Sequence, residues 1–241
     1  MMDGKTDSMR TTSPYSLSVG VTANRWRNPG EADNMRLNPA HRHSLEETLR
    51  HVLIEINRAV DLHYRGDAPQ SLYATSTPPI RLVSPLAEGG DRVVATVATT
   101  LDHPWDLLVI TPEDISILPD RDPHVPLLPL WNSANERMIL GGTQLDDESL
   151  LDVNRQLLTH SGLLVSLWDN QPARGEAGTE NVIKQALAQN IPVIVIDAEP
   201  TALPASTPHA FRVMTPDDRV SNDDNDQTLR DVVAMLLARV G

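Results

Sequence analysis

Residues 80–98 read Ile80-Arg-Leu-Val-Ser-Pro-Leu-Ala-Glu-Gly-Gly-Asp-Arg-Val-Val-Ala-Thr-Val-Ala98. Ile80 to Ser84, entered after Pro78-Pro79, has the composition of a short strand. Leu86 to Asp91, with Gly89 and Gly90 adjacent, predicts a turn. Val93, Val94, Val97, Ala98 and Leu101 then recur at helical spacing. The same strand–turn–helix grammar continues on both sides. Upstream, Tyr15–Val21 predicts a strand. Ser44-Leu-Glu-Glu47 has the form of a capping box before a helix on Leu45, Leu49, Val52, Leu53, Ile56 and Val60, reaching Tyr64. Downstream, Trp105–Ile110 predicts a strand whose run Leu107–Ile110 is apolar on both faces, as suits the centre of a parallel sheet.

The second half repeats the alternation. A short edge strand is expected at Met138–Leu140 and a helix at Asp147–Ser161. A strand at Leu163–Trp168, a helix at Thr179–Gln189 with Asn190 as a left-handed cap, and a strand at Pro192–Asp197 follow. An edge strand at Phe211–Met214 and a last helix at Thr228–Val240 complete the order. Alternation of this kind predicts an α/β fold, doubly wound around a mostly parallel sheet, in a single domain over 15–241. Residues 1–14 are polar and aperiodic and are expected to be a flexible tail. Residues 111–135 carry prolines at 112, 119, 123, 126 and 129 and are expected to be a long irregular insertion, with a lid among its roles.

Composition narrows the partners. The 241 residues carry 20 Lys+Arg against 33 Asp+Glu, a net charge of −13, and 40% are hydrophobic. That apolar content supports a core. The negative charge disfavours a nucleic-acid backbone and an anionic membrane surface alike. The few aromatics, one Phe, three Tyr and four Trp, leave little for a base-stacking platform. The absence of cysteine removes disulfides, thiolate metal sites and thiol nucleophiles. With no long apolar run and no apolar leader segment at the start, a cytoplasmic protein is the expectation.

In a doubly wound sheet a ligand sits outside the carboxyl ends of the strands, where strand order reverses. Three strand exits therefore matter. Gly20-Val-Thr22-Ala-Asn24-Arg25 brings a hydroxyl, an amide and a guanidinium. Ser84-Pro-Leu86-Ala87-Glu88-Gly89-Gly90-Asp91-Arg92 brings small residues and a helix start, whose unpaired N–H groups and dipole favour an anion. Asp91 complicates that, since it either caps its own helix or repels a phosphate there. Trp168-Asp169-Asn-Gln-Pro-Ala-Arg174-Gly175-Glu-Ala-Gly178-Thr179 runs from a strand through a glycine-bearing loop into a helix. Arg174 is able to fork onto a phosphate, and Thr179 stands at the helix start. The expectation is one hollow, favourable to an anion, shared by the stretches behind residues 84 and 174. Neither a Walker loop nor a Gly-x-Gly-x-x-Gly is present.

Ser84–Ala95 resembles the strand–S-x-L-A-x-G-A-D–helix motif of the SMF/DprA–LOG (SLOG) superfamily. Pro172-Ala-Arg-Gly-Glu-Ala-Gly-Thr179 resembles its glycine-rich G-G-T loop, and Gly20–Arg25 is similar to the G-V-T-G-H-R start of many bacterial members. The resemblance implies a Rossmann-like fold and binding of a nucleotide or nucleotide-derived ligand, as in members that sense nucleotide signals. It also implies pairing of subunits through helices. Thr22 and Arg25 would meet sugar or base. Ser84, Gly89 and Gly90 would shape a phosphate pocket, and Arg174, Gly178 and Thr179 would hold the phosphate. The hydrolase branch carries P-G-G-x-G-T-x-x-E. Here Val182 stands where that glutamate belongs, Ala177 replaces a glycine, and Ala23-Asn24 replaces Gly-His. These departures point to binding rather than to glycosidic hydrolysis. A hydrolase or transferase reading would have to draw its acid–base groups from Glu88, Asp91, Asp169, Glu176 or Glu180. A third reading is an interaction protein with a vestigial pocket.

Other candidates read as structural. His41 and His43 lack a third ligand nearby, and His51 and His63 lie too far apart along one helix to act as a pair. Ser84 has no nucleophile elbow around it. The turn Asn222–Asp226 lacks the glycine and distal glutamate of a calcium loop. Trp168 is a packing residue, or else a surface on which a base stacks. The sequence implies no metal and leaves any cofactor unknown.

Overall fold

A computed structural model describes residues 15–26, 37–65, 79–115, 120, 122, 124–141, 147–198, 209–217 and 225–239. The expected tail at 1–14, part of the insertion and most of the acidic turn at 222–226 lie outside the described residues.

The elements are β1 (Leu17–Ala23), α1 (Arg42–Arg65), β2 (Ile80–Ser84), α2 (Gly90–Thr99), β3 (Asp106–Thr111), α3 (Leu127–Ser133) and β4 (Glu136–Ile139). They continue with α4 (Asp147–Thr159), β5 (Leu163–Trp168), α5 (Thr179–Ala188), β6 (Val193–Asp197), β7 (Phe211–Met214) and α6 (Asn225–Ala238). The strands form one sheet in the order β4-β3-β2-β1-β5-β6-β7, parallel throughout except for the antiparallel edge strand β7. The chain thus moves outward from β1 to β4, returns to the other side of β1 with β5, and moves outward again. Strand order reverses between β1 and β5, where Gly20 pairs with Leu164 and Ala23 with Leu167. The fold is a single Rossmann-like α/β domain.

Two apolar clusters cover the two faces. Leu17, Val19 and Val21 of β1, with Leu107, Val109, Leu163 and Val165, pack under α1, α2 and α6. Leu108, Ile110, Leu164, Val193 and Val195 pack under α4 and α5, through Val153, Leu157, Val182 and Ala186. Adjacent residues of a strand point to opposite faces, so a strand buried on both must be apolar at every position, as β3 and β5 nearly are. Each such fully buried aliphatic side chain contributes ~1.5–3 kcal/mol. Gly20 is the exception in the central strand. A Cβ there would lie 2.4 Å from Ser161 Oγ and 3.2 Å from Leu164 Cδ1. The glycine is a packing requirement of the chain entering β5.

Several element ends differ from expectation, each for a local reason. α1 begins before the Ser44 capping box. Asn38 caps a short 3-10 turn at Pro39–His41 by accepting the Ala40 N–H at 3.0 Å, and the helix runs on from it. Ser44 sits inside the first turn and donates its hydroxyl to His41 O at 3.0 Å. The proline-rich insertion contains a helix, α3, and the edge strand expected at 138–140 follows it as β4, starting two residues earlier. Proline at position 126 precedes the first turn of α3, where a missing N–H costs nothing.

Gly20→Ala is expected to destabilise the protein by ~1–3 kcal/mol through overpacking. Pairing it with Ser161→Ala, which removes the nearest atom, should recover part of that loss. Chemical denaturation of the two single variants and the double variant reads the coupling. Strictly additive losses would contradict the contact.

Candidate functional site

The loops leaving β1, β2 and β5 meet at the reversal of strand order, and Asn24 joins them. Its N–H donates to Leu167 O at 3.0 Å, its carbonyl accepts from Gly90 N–H at 3.0 Å, and its side-chain oxygen accepts the Asp169 N–H at 3.1 Å. Gly89, at φ +99°, lets the start of α2 press against this segment. A Cβ there would meet Arg25 Cα at 2.7 Å and Asn24 O at 2.9 Å, and one on Gly90 would meet Ala23 Cβ at 2.5 Å. The paired glycines therefore serve the approach of one loop to another.

A cleft of about 370 Å³ opens above this junction. Thr22, Asn24 and Arg25 line it from β1, and Pro85, Ala87 and Asp91 from the β2 exit. Ala173, Arg174, Gly175, Ala177, Gly178 and Thr179 line it from the β5 exit. The two glycine-bearing stretches thus share one hollow. α4 closes it with Asp147, Leu150, Val153 and Asn154, which the sequence reading did not include. Asn154 was the available signal there: a buried amide beside the apolar positions Val153 and Leu157. Its amide donates to Ala177 O at 3.2 Å and so fixes the opposite loop.

The remaining expected residues support the cleft from behind. Gly20 packs on Ser161. Ser84 is buried, and its hydroxyl accepts the Leu86 N–H at 3.0 Å, closing the turn that holds Leu86 at φ +52°. Arg92 is buried and donates to Leu86 O at 3.0 Å, Val125 O at 3.1 Å and Asp120 at 2.6 Å. Burial opposes the charge on Asp120, but the Leu127 amide, the Arg92 guanidinium and the Asp122 amide together hold its carboxyl below the usual range. Asp122 accepts the Gly89 N–H at 2.9 Å. The insertion therefore straps the start of α2, and none of its described residues lines the cleft. Asp169 accepts the Gln171 N–H at 3.1 Å. Glu88 lies outside the lining, as does Trp168, whose Nε1 donates to Gln171 O at 3.0 Å.

The β5–α5 loop is held from below. Glu180 accepts the Ala173 N–H at 2.7 Å and pairs with Lys184 at 2.7 Å. Asn181 donates to Gly175 O at 3.1 Å and Glu176 O at 3.2 Å. Gly178 holds the N-terminal cap of α5 with no side-chain hydrogen bond, and Gly178 and Thr179, at the positive end of this helix, both line the cleft.

Asp91 is the exceptional group. It occupies the second position of α2 and does not cap it, since Gly89 holds the cap. It is 4% exposed, and its Oδ1 has no hydrogen-bond partner. Desolvation raises its pKa to about 8, against the opposing pull of Arg25, the Ala87 and Ala23 amides, and Arg92.

No protein-family model matches the sequence, and no curated protein matches it. Among solved structures the chain is similar to the X-ray structure of TM1055, a structural-genomics target. Identity is 15% over 73% of this chain and 72% of that one, with a TM-score of 0.35.

The Asp91 environment predicts a pH slope in stability. Below the ordinary 3.8 the carboxyl is protonated folded or unfolded, and its contribution is intact. As pH rises toward about 8 the unfolded chain has released the proton while the folded one retains it, so stability falls across that window. Asp91→Asn should flatten that part of the profile and be the more stable protein relative to wild type as pH rises from 5 to 8. Urea denaturation over a pH series reads this difference, and parallel profiles would refute it.

Proposed function

We propose that the cleft binds a nucleotide or nucleotide-derived ligand and that the chain acts as a ligand-sensing module of the SLOG type. The observation that carries this reading is the convergence of Arg25, Arg174 and the uncapped start of α5 on one hollow at the reversal of strand order. Its volume suits a mononucleotide, small-molecule sites running from ~300 to ~1,000 Å³. The phosphate would lie against Thr179 and Gly178, where helix-end amides and the Arg174 fork favour negative charge. Sugar and base would extend toward Thr22 and Arg25. The resemblance of Gly20–Arg25, Ser84–Ala95 and Pro172–Thr179 to the motifs of that superfamily supports the same ligand class.

A second reading, an N-glycosidic hydrolase or transferase, is favoured by one feature: the buried acid Asp91 with an unpartnered oxygen in the cleft wall. Against it, Glu180 is engaged by the loop it supports, and Val182 stands where the hydrolase glutamate belongs.

Calorimetric titration with a panel of nucleoside mono- and diphosphates tests the binding reading. Arg174→Ala should weaken the best binder by ~1.5–3 kcal/mol, tenfold or more in Kd, as expected for a lost charge-assisted contact. Equal affinity in both proteins would remove Arg174 from the site. Release of free base and ribose phosphate during the titration would favour the hydrolase.

A further inference from the structure

The start of α2 forms one wall of the cleft, yet its leading amides do not serve a ligand. The Gly89 N–H is held by Asp122 at 2.9 Å and the Gly90 N–H by Asn24 O at 3.0 Å. What this wall presents instead is the carboxyl of Asp91, 4% exposed and lining the cleft, with Oδ1 unpartnered. A buried polar atom without a partner costs ~1–3 kcal/mol, which a fold retains where something else makes the bond. Other side chains of this region are satisfied within the protein: Ser84 by Leu86, Asn154 by Ala177, and Arg92 by Asp120 and Val125.

From this geometry we propose that Asp91 is a carboxylic acid that donates from Oδ1 to an oxygen acceptor of the bound ligand, so that occupation of the cleft by an oxyanion is coupled to proton uptake. This rests on the reading of the cleft as an anion site. An ionised Asp91 would set a negative charge on the wall facing a phosphate, whereas the acid form supplies a donor there and no charge. Burial favours the acid form. The cations and amides around it pull the other way, and burial outweighs them. Arg25 on the β1 exit and Arg92 on its own helix draw it toward ionisation, but Arg92 is already engaged by Asp120, and Asp122 lies on the other side of the α2 start. Asp147 of α4 adds a second carboxyl to the lining, and Arg174 of the β5–α5 loop adds a guanidinium. Binding of a dianion would add to the preference for the proton. The cleft then responds to pH as well as to its ligand.

The full chain is titrated with adenosine 5′-monophosphate between pH 7 and 9.5, a range in which the phosphate of the probe stays dianionic. Each titration is run in two buffers of different ionisation enthalpy, and the Asp91 carboxyl is followed separately by carbon NMR. The expected result is an NMR titration well above the ordinary carboxylate range. Affinity should weaken roughly tenfold or more across the series, since only the protonated fraction is competent, with net proton uptake on binding near pH 9. Asp91→Asn, which keeps a donor at every pH, should bind with a Kd that does not change over the same series. An Asp91 carboxyl that titrates below pH 5 overturns the proposal whether or not the probe binds. A wild-type Kd that is flat with pH, without proton uptake, overturns it and leaves the binding reading in place. Absence of binding by both proteins at every pH removes the binding reading for this ligand and the proposal with it.

Discussion

The carbonyl, N–H and side-chain oxygen of Asn24 point in three directions and find partners on three different segments: the start of α2, the end of β5 and the loop beyond it. Parallel strands in this fold end in loops that have no sheet partner of their own, so the exits of β1, β2 and β5 would otherwise hold their backbone groups out to water. One residue at the reversal of strand order satisfies several of them together and fixes the distance between the walls of the cleft. Each bond adds a modest ~0.5–1.5 kcal/mol net, but they share one residue, so the loops cannot shift independently.

That clamp imposes its own requirements. The α2 start must come within contact of residues 23–26, and side chains at 89 and 90 would prevent it. The start of α2 must also be held down, which falls to the insertion through Asp120, Asp122 and Arg92. The segment richest in proline is thus a strap on the outer side of α2. The β5–α5 loop is built differently, on a turn closed by Glu180, Asn181 and Asn154 from beneath. One wall of the cleft spends its amides on internal contacts, and the other starts α5 at a glycine with no side-chain cap. The site is asymmetric for that reason, with positive helix-end potential on the α5 side and a buried acid on the α2 side.

Much of this was legible in residue order alone. Strand-length apolar runs at Leu107–Ile110, Leu163–Leu167 and Val193–Ile196, separated by helical spacing, determined an α/β parallel sheet, because a strand buried on both faces has no room for alternation. The glycine-bearing exits after Ser84 and Trp168 marked where chemistry could sit, since only loops beyond the carboxyl ends are free of the sheet. Tertiary structure alone decided what those letters do. Gly89 and Gly90 read as ligand approach and turned out to admit Asn24 and Arg25; Ser84 and Arg92 read as contacts and became supports. The contribution of α4, the strap formed by the insertion and the unpartnered oxygen of Asp91 all depend on segments far apart in the chain. Local periodicity encodes which face of an element is buried, but which distant group lies against it, and whether a buried acid finds a partner, is set only when the sheet order brings β1 between β2 and β5.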